Sequence, residues 1–109
     1  MQMVHPGFLR LLQDMDALVA GRITPLEFET RFLANRGFMR QSGAGFMFDS
    51  GIYEELFFAV EDYVADPALR TRSIDLDDAG LMSVVIDART QFSEFLARLG
   101  YDSDGRPRS

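Results

Sequence analysis

At 109 residues, 47% of them hydrophobic and 26% charged, the chain has enough apolar content to close one core and is too short for two independent domains, which excludes a disordered acidic tether. It has no cysteine, which rules out a disulfide framework and thiol chemistry and fits a reducing compartment. The formal net charge of -6 arises almost wholly between residues 49 and 78, where nine acids face two arginines, Arg70 and Arg72; this field favours a basic partner and opposes direct binding of nucleic acid.

The N-terminal stretch MQMVHPGFLRLL has neither a basic region nor an uninterrupted apolar run, and nothing approaches the roughly 20 apolar residues of a membrane span. The expectation is a soluble chain without a processed leader. Phe8, Leu11, Leu12, Met15, Leu18 and Val19 recur at helical steps before Gly21, predicting a helix over about 6–20. Thr24, Pro25 and Glu27 form an N-cap, first-turn proline and capping-box pattern, with Phe28 and Phe32 four residues apart behind them. This second helix is expected to run over 25–35 and stop before Gly37.

Residues 37–50 combine three glycines and two serines with Phe38, Met39, Phe46, Met47 and Phe48. Such a segment either folds back as a lid on the core or exposes a contact patch. Asp49 or Ser50 caps a third helix over 50–65, which Pro67 ends by disfavouring helical geometry at Asp66. Asp75 or Asp77 opens a fourth over 77–99, with Leu81, Val84, Val85, Ala88, Phe92, Phe95, Leu96 and Leu99 in register. The pattern predicts an all-α protein, a four-helix antiparallel bundle formed by one domain over 1–100, with a disordered tail over 101–109.

On the wheel of helix three, Ile52, Tyr53, Leu56, Phe57, Val60, Tyr63 and Val64 fall in one arc and Glu54, Glu55, Glu61, Asp62 and Asp66 in the opposite one, with Phe58 among the acids. Like charges one turn apart cost a few tenths of a kcal/mol per pair, and a large aromatic serves solubility poorly. An aromatic ringed by polar groups is a common interface anchor. Helix three contains no arginine or lysine to neutralise the arc. Read only as a solvated face, the same residues would need no partner.

The residues offer little to catalysis. His5, the sole histidine, stands before Pro6 without a surrounding motif, and an exposed carboxylate pair lacks the burial that tunes an acid or base. Asp75, Asp77 and Gly80 begin like a calcium loop, but Ala79 and Ile86 occupy positions where ligands belong, and a helix start explains the aspartates better. The expectation is a protein that is not an enzyme and has no catalytic residue, no metal and no cofactor.

Two blocks carry a resemblance. The first is Val19-Ala20-Gly21-Arg22-Ile23-Thr24-Pro25-Leu26-Glu27-Phe28-Glu29-Thr30-Arg31-Phe32-Leu33; the second comprises Leu56-Phe57, Val60, Asp62-Tyr63, Asp66-Pro67-Ala68-Leu69-Arg70 and Ile74-Asp75-Leu76-Asp77. In order and spacing they resemble the colicin D type immunity proteins, over about residues 10–99. Ala59, where that family often has an acid, and the apolar 37–50 segment depart from its pattern. The resemblance implies a cytoplasmic four-helix antidote that binds the nuclease domain, a tRNase, of a bacteriocin or contact-dependent inhibition toxin, as a monomer in a 1:1 complex. On that reading Glu54, Glu55, Glu61 and Asp62 mimic phosphates in a basic cleft, Phe58 is the apolar anchor and Asp66 lies at the rim. Phe46, Phe48 and Tyr63 are secondary contacts. The rival readings are an acidic helical adaptor or regulatory subunit of a larger protein unrelated to nucleases, and a small metal-dependent enzyme.

Overall fold

The computed structural model describes residues 4–43 and 51–108. Among these residues four helices follow in order: α1 (Pro6–Val19), α2 (Pro25–Ser42), α3 (Gly51–Asp62) and α4 (Asp78–Arg98), with a 3-10 turn at Pro67–Leu69. The protein is all-α, a four-helix bundle, and no strand occurs among the described residues. α1 packs against α2 and α4, and α3 against α4. None of these helices is long and apolar enough to cross a membrane.

The starts of the helices are local chemistry. Thr24 Oγ1 accepts from the Glu27 amide at 3.1 Å, while Glu27 Oε1 accepts from the Thr24 amide at 3.2 Å, closing the capping box before Pro25. Asp77, rather than Asp75, caps α4, its carboxylate accepting from the Gly80 amide at 2.7 Å. Asp75 instead closes the preceding turn by accepting from the amides of Arg72 and Thr71 and from the Arg72 guanidinium, contacts that hold its carboxyl below the usual aspartate range. The expected caps of α3, Asp49 and Ser50, lie outside the described residues.

The core is aromatic and aliphatic in layers. Phe8 of α1 meets Phe92 of α4 edge to face at 5.0 Å, and Phe32 of α2 stacks on Tyr53 of α3 at 5.4 Å. Leu11, Leu12, Met15, Leu18, Leu56, Leu81, Val85 and Leu96 fill the space between them and are essentially inaccessible. Each such side chain contributes about 1.5–3 kcal/mol by leaving water. The wheel of helix three is sound at its centre, with Tyr53, Leu56, Val60 and Tyr63 buried, while Phe57 is only half-buried.

Three sequence expectations differ from the structure. Helix α2 does not stop near Asn35 but continues through Gly37 to Ser42, ending at Gly43 with φ +68°. Burial explains this: Asn35 and Met39 pack onto α1, where Asn35 Nδ2 donates to the Gly7 carbonyl at 2.7 Å. That packing outweighs the roughly 1 kcal/mol a mid-helix glycine costs. Gly7 makes the approach possible, since a Cβ there would stand 2.5 Å from Met39 Cγ.

Helix α3 ends at Asp62, not Ala65, because the chain turns to pair with Leu76. Leu76 donates to the Asp62 carbonyl at 2.8 Å, and Val64 donates to the Leu76 carbonyl at 2.9 Å. Arg70 then satisfies the carbonyls of Val64 and Ala65, at 2.7 and 3.1 Å.

The segment after Gly100, expected to be a disordered tail, is folded through Arg108. Tyr101 is buried and bridges to Pro107, Asp102 Oδ1 accepts from the amides of Asp104 and Arg106, and Gly105 packs against Leu9 with φ +82°. Arg89 of α4 pins the segment by donating to the Ser103 carbonyl at 2.6 Å.

Candidate functional site

The outer side of α3 carries the candidate residues. Glu54, Glu55 and Glu61 are exposed, and Phe58 stands among them with 54% of its surface accessible. Glu54, Phe58 and Glu61 are separated by four and three residues, so they line one stripe along the helix, with a carboxylate one turn to each side of the ring. Among the described residues, no ion pair or side-chain hydrogen bond engages Glu54, Glu55 or Glu61. Their charges are directed to solvent.

The remaining predicted residues occupy different settings. Asp62 is half-buried, and its main-chain carbonyl serves the Leu76 bridge. Asp66 is exposed at the far end of the face, but its carboxylate caps the 3-10 turn by accepting from the Ala68 amide at 3.0 Å. Phe46 and Phe48 lie outside the described residues. Tyr63 is buried; its hydroxyl donates to Asp78 Oδ1 at 2.5 Å, and burial, with Asp78 beside it, holds the phenol well above its usual range.

Two residues of α2 extend this side of the molecule and were not marked by sequence reasoning. Glu29 is half-buried across the seam from α3, and burial together with the charge of Glu61 raises its carboxyl above the ordinary glutamate range. Arg36 lies over the Phe57 ring, its guanidinium carbon 3.7 Å from the centroid, and 5.6 Å from that of Tyr53. Overlaying the wheels of α2 and α3 could have found both, because each falls on the flank of α2 beside its buried Phe28–Phe32 edge. The pairing of those flanks is tertiary information, which a single wheel lacks.

His5 serves the fold: its Nδ1 accepts from the Gly7 amide at 2.9 Å at the start of α1, and its Nε2 lies 3.1 Å from Ser42 Oγ. Among the described residues no group of three or more acids or histidines is placed to hold a metal ion. The candidate face is exposed helix surface, and such a surface suits contact with a macromolecule.

No family model matches the chain, and no curated protein or solved structure matches it. What this face can do therefore follows from its own chemistry.

Proposed function

We propose that this protein is a cytoplasmic immunity protein that binds a basic toxin nuclease, a tRNase, and covers its phosphate-binding cleft with the outer face of α3. The observation that carries this reading is the half-exposed Phe58 set between the solvent-directed carboxylates of Glu54 and Glu61. A nuclease that grips RNA must present arginine and lysine to phosphates. Carboxylates fixed on a helix can occupy those donors, while an apolar ring at the centre supplies contact area and excludes water. Inhibition would be steric and electrostatic, with Glu55, Asp62 and Asp66 flanking the contact and the Tyr63 hydroxyl remaining engaged with Asp78.

The partner is sought as the product of the reading frame immediately upstream, expected to end in a basic domain of nuclease size. Glu54→Lys with Glu61→Lys should abolish binding to that domain and protection of cells expressing it, with the helical circular dichroism unchanged. Retained protection would sink the assignment. The exposed Phe58 also suits an adaptor that docks on a protein unrelated to nucleases. Affinity that weakens steeply with salt favours the immunity reading, and affinity nearly indifferent to salt favours the adaptor.

A further inference from the structure

Two arginines of this molecule lie over aromatic rings. Arg36 covers Phe57 at 3.7 Å and approaches Tyr53, and Arg10 lies 5.7 Å over the ring of Phe38. Phe58 is the neighbour of Phe57, its ring 6.0 Å away and tilted by 48°, yet among the described residues no cation lies over it. Its free side is bounded along the helix axis by Glu54 and Glu61, whose carboxylates have no arginine of their own among the described residues. An aromatic plane flanked by two acceptors matches the two faces of a guanidinium: a flat, weakly hydrated surface that stacks and an edge of N–H donors that pairs with carboxylate. A lysine ammonium would satisfy the carboxylates but, being compact and strongly hydrated, would gain less from the ring.

We infer that Glu54, Phe58 and Glu61 form a receptor for an arginine side chain of the basic partner, with the guanidinium stacked on Phe58 and paired with one of the two carboxylates. This rests on the proposed function insofar as the partner is basic, and goes beyond it in naming the residue type at the centre of the contact.

The test uses oligo-arginine and oligo-lysine peptides of equal length, titrated calorimetrically at low salt into the wild-type protein and into Phe58→Leu. Leucine keeps an apolar side chain at an exposed position, so folding is preserved, and circular dichroism verifies it. The wild type is expected to bind the arginine peptide about threefold more tightly than the lysine peptide, the scale of one exposed cation–aromatic contact. In Phe58→Leu that preference should fall close to unity with the lysine affinity unchanged. Equal affinities in the wild type, or a preference that survives Phe58→Leu, would overturn the arginine receptor while leaving a basic partner in place. Failure of both peptides to bind would overturn the basic-partner reading along with it.

Discussion

Helices α1 and α3 both carry acids, and the molecule treats them in opposite ways. Asp14 of α1 accepts from Arg31 Nη1 at 3.3 Å, and Asp16 accepts from Arg89 Nε at 2.8 Å, so each is tied to a different neighbouring helix. Glu54, Glu55 and Glu61 of α3 have no such cation among the described residues. A carboxylate count therefore does not separate acids that hold a fold together from acids that remain available to a partner; the cation beside each one does. The α1 acids cross-link helices, and the α3 acids make no such link among the described residues.

Removing an arginine from the paired side is the strongest way to break this contrast. Arg89 is largely buried, donates to Asp16 and to Ser93 Oγ at 2.9 Å, and holds the C-terminal segment through the Ser103 carbonyl. Arg89→Ala is expected to cost about 2–3 kcal/mol in urea denaturation, the scale of hydrogen bonds to charged groups, and to expose the segment after Gly100 to proteases. An unchanged unfolding midpoint would mean that the α1 pairs carry no more energy than exposed ion pairs elsewhere.

Tyr63, one residue past the end of α3, is in contact with Asp78 of α4. Tyr63→Phe keeps the ring in the core and removes one hydrogen bond to an exposed carboxylate that water can resolvate, so about 1 kcal/mol is expected in the same measurement. The wild-type phenol should resist ionisation at alkaline pH, observable as a missing share of the ultraviolet tyrosinate signal below the unfolding transition.

Much of this division was legible in the sequence where it depends on neighbours along the chain. The Thr24–Glu27 capping box and the exposure of Glu54, Glu55, Phe58 and Glu61 follow from local spacing, which also narrows the α4 cap to Asp75 or Asp77, and the structure has the capping box, the exposed face and Asp77 as the cap. The continuation of α2 past Gly37 was not legible, because Met39 is buried against α1 in space that Gly7 leaves free. The folding of the C-terminal segment was hidden for a similar reason: Tyr101 and Gly105 show no periodicity and are fixed by contacts with distant residues. Asp66 shows the limit of the wheel in the other direction, since it placed the side chain on the acidic face without revealing that a local amide already engages its carboxylate.

Glu29 gives the smallest effect and the sharpest test, because it is an α2 acid that joins the unpaired α3 set through Glu61. Burial and that neighbouring charge raise its carboxyl in the folded state above the ordinary value of 4.5, so the folded protein binds more protons than the unfolded chain in the window just above that value. Its contribution is therefore fully present below the unfolded value and is lost as pH rises through the folded one; at neutral pH the ionised Glu29 weakens the fold. Glu29→Gln should raise the unfolding free energy slightly at pH 7, by no more than a few tenths of a kcal/mol once solvent screening is allowed for, and the gain, followed by urea denaturation, should vanish in acid. A gain that persisted unchanged in acid would show that Glu29 acts through packing, and the repulsion that defines the α3 face would then end at α3 itself.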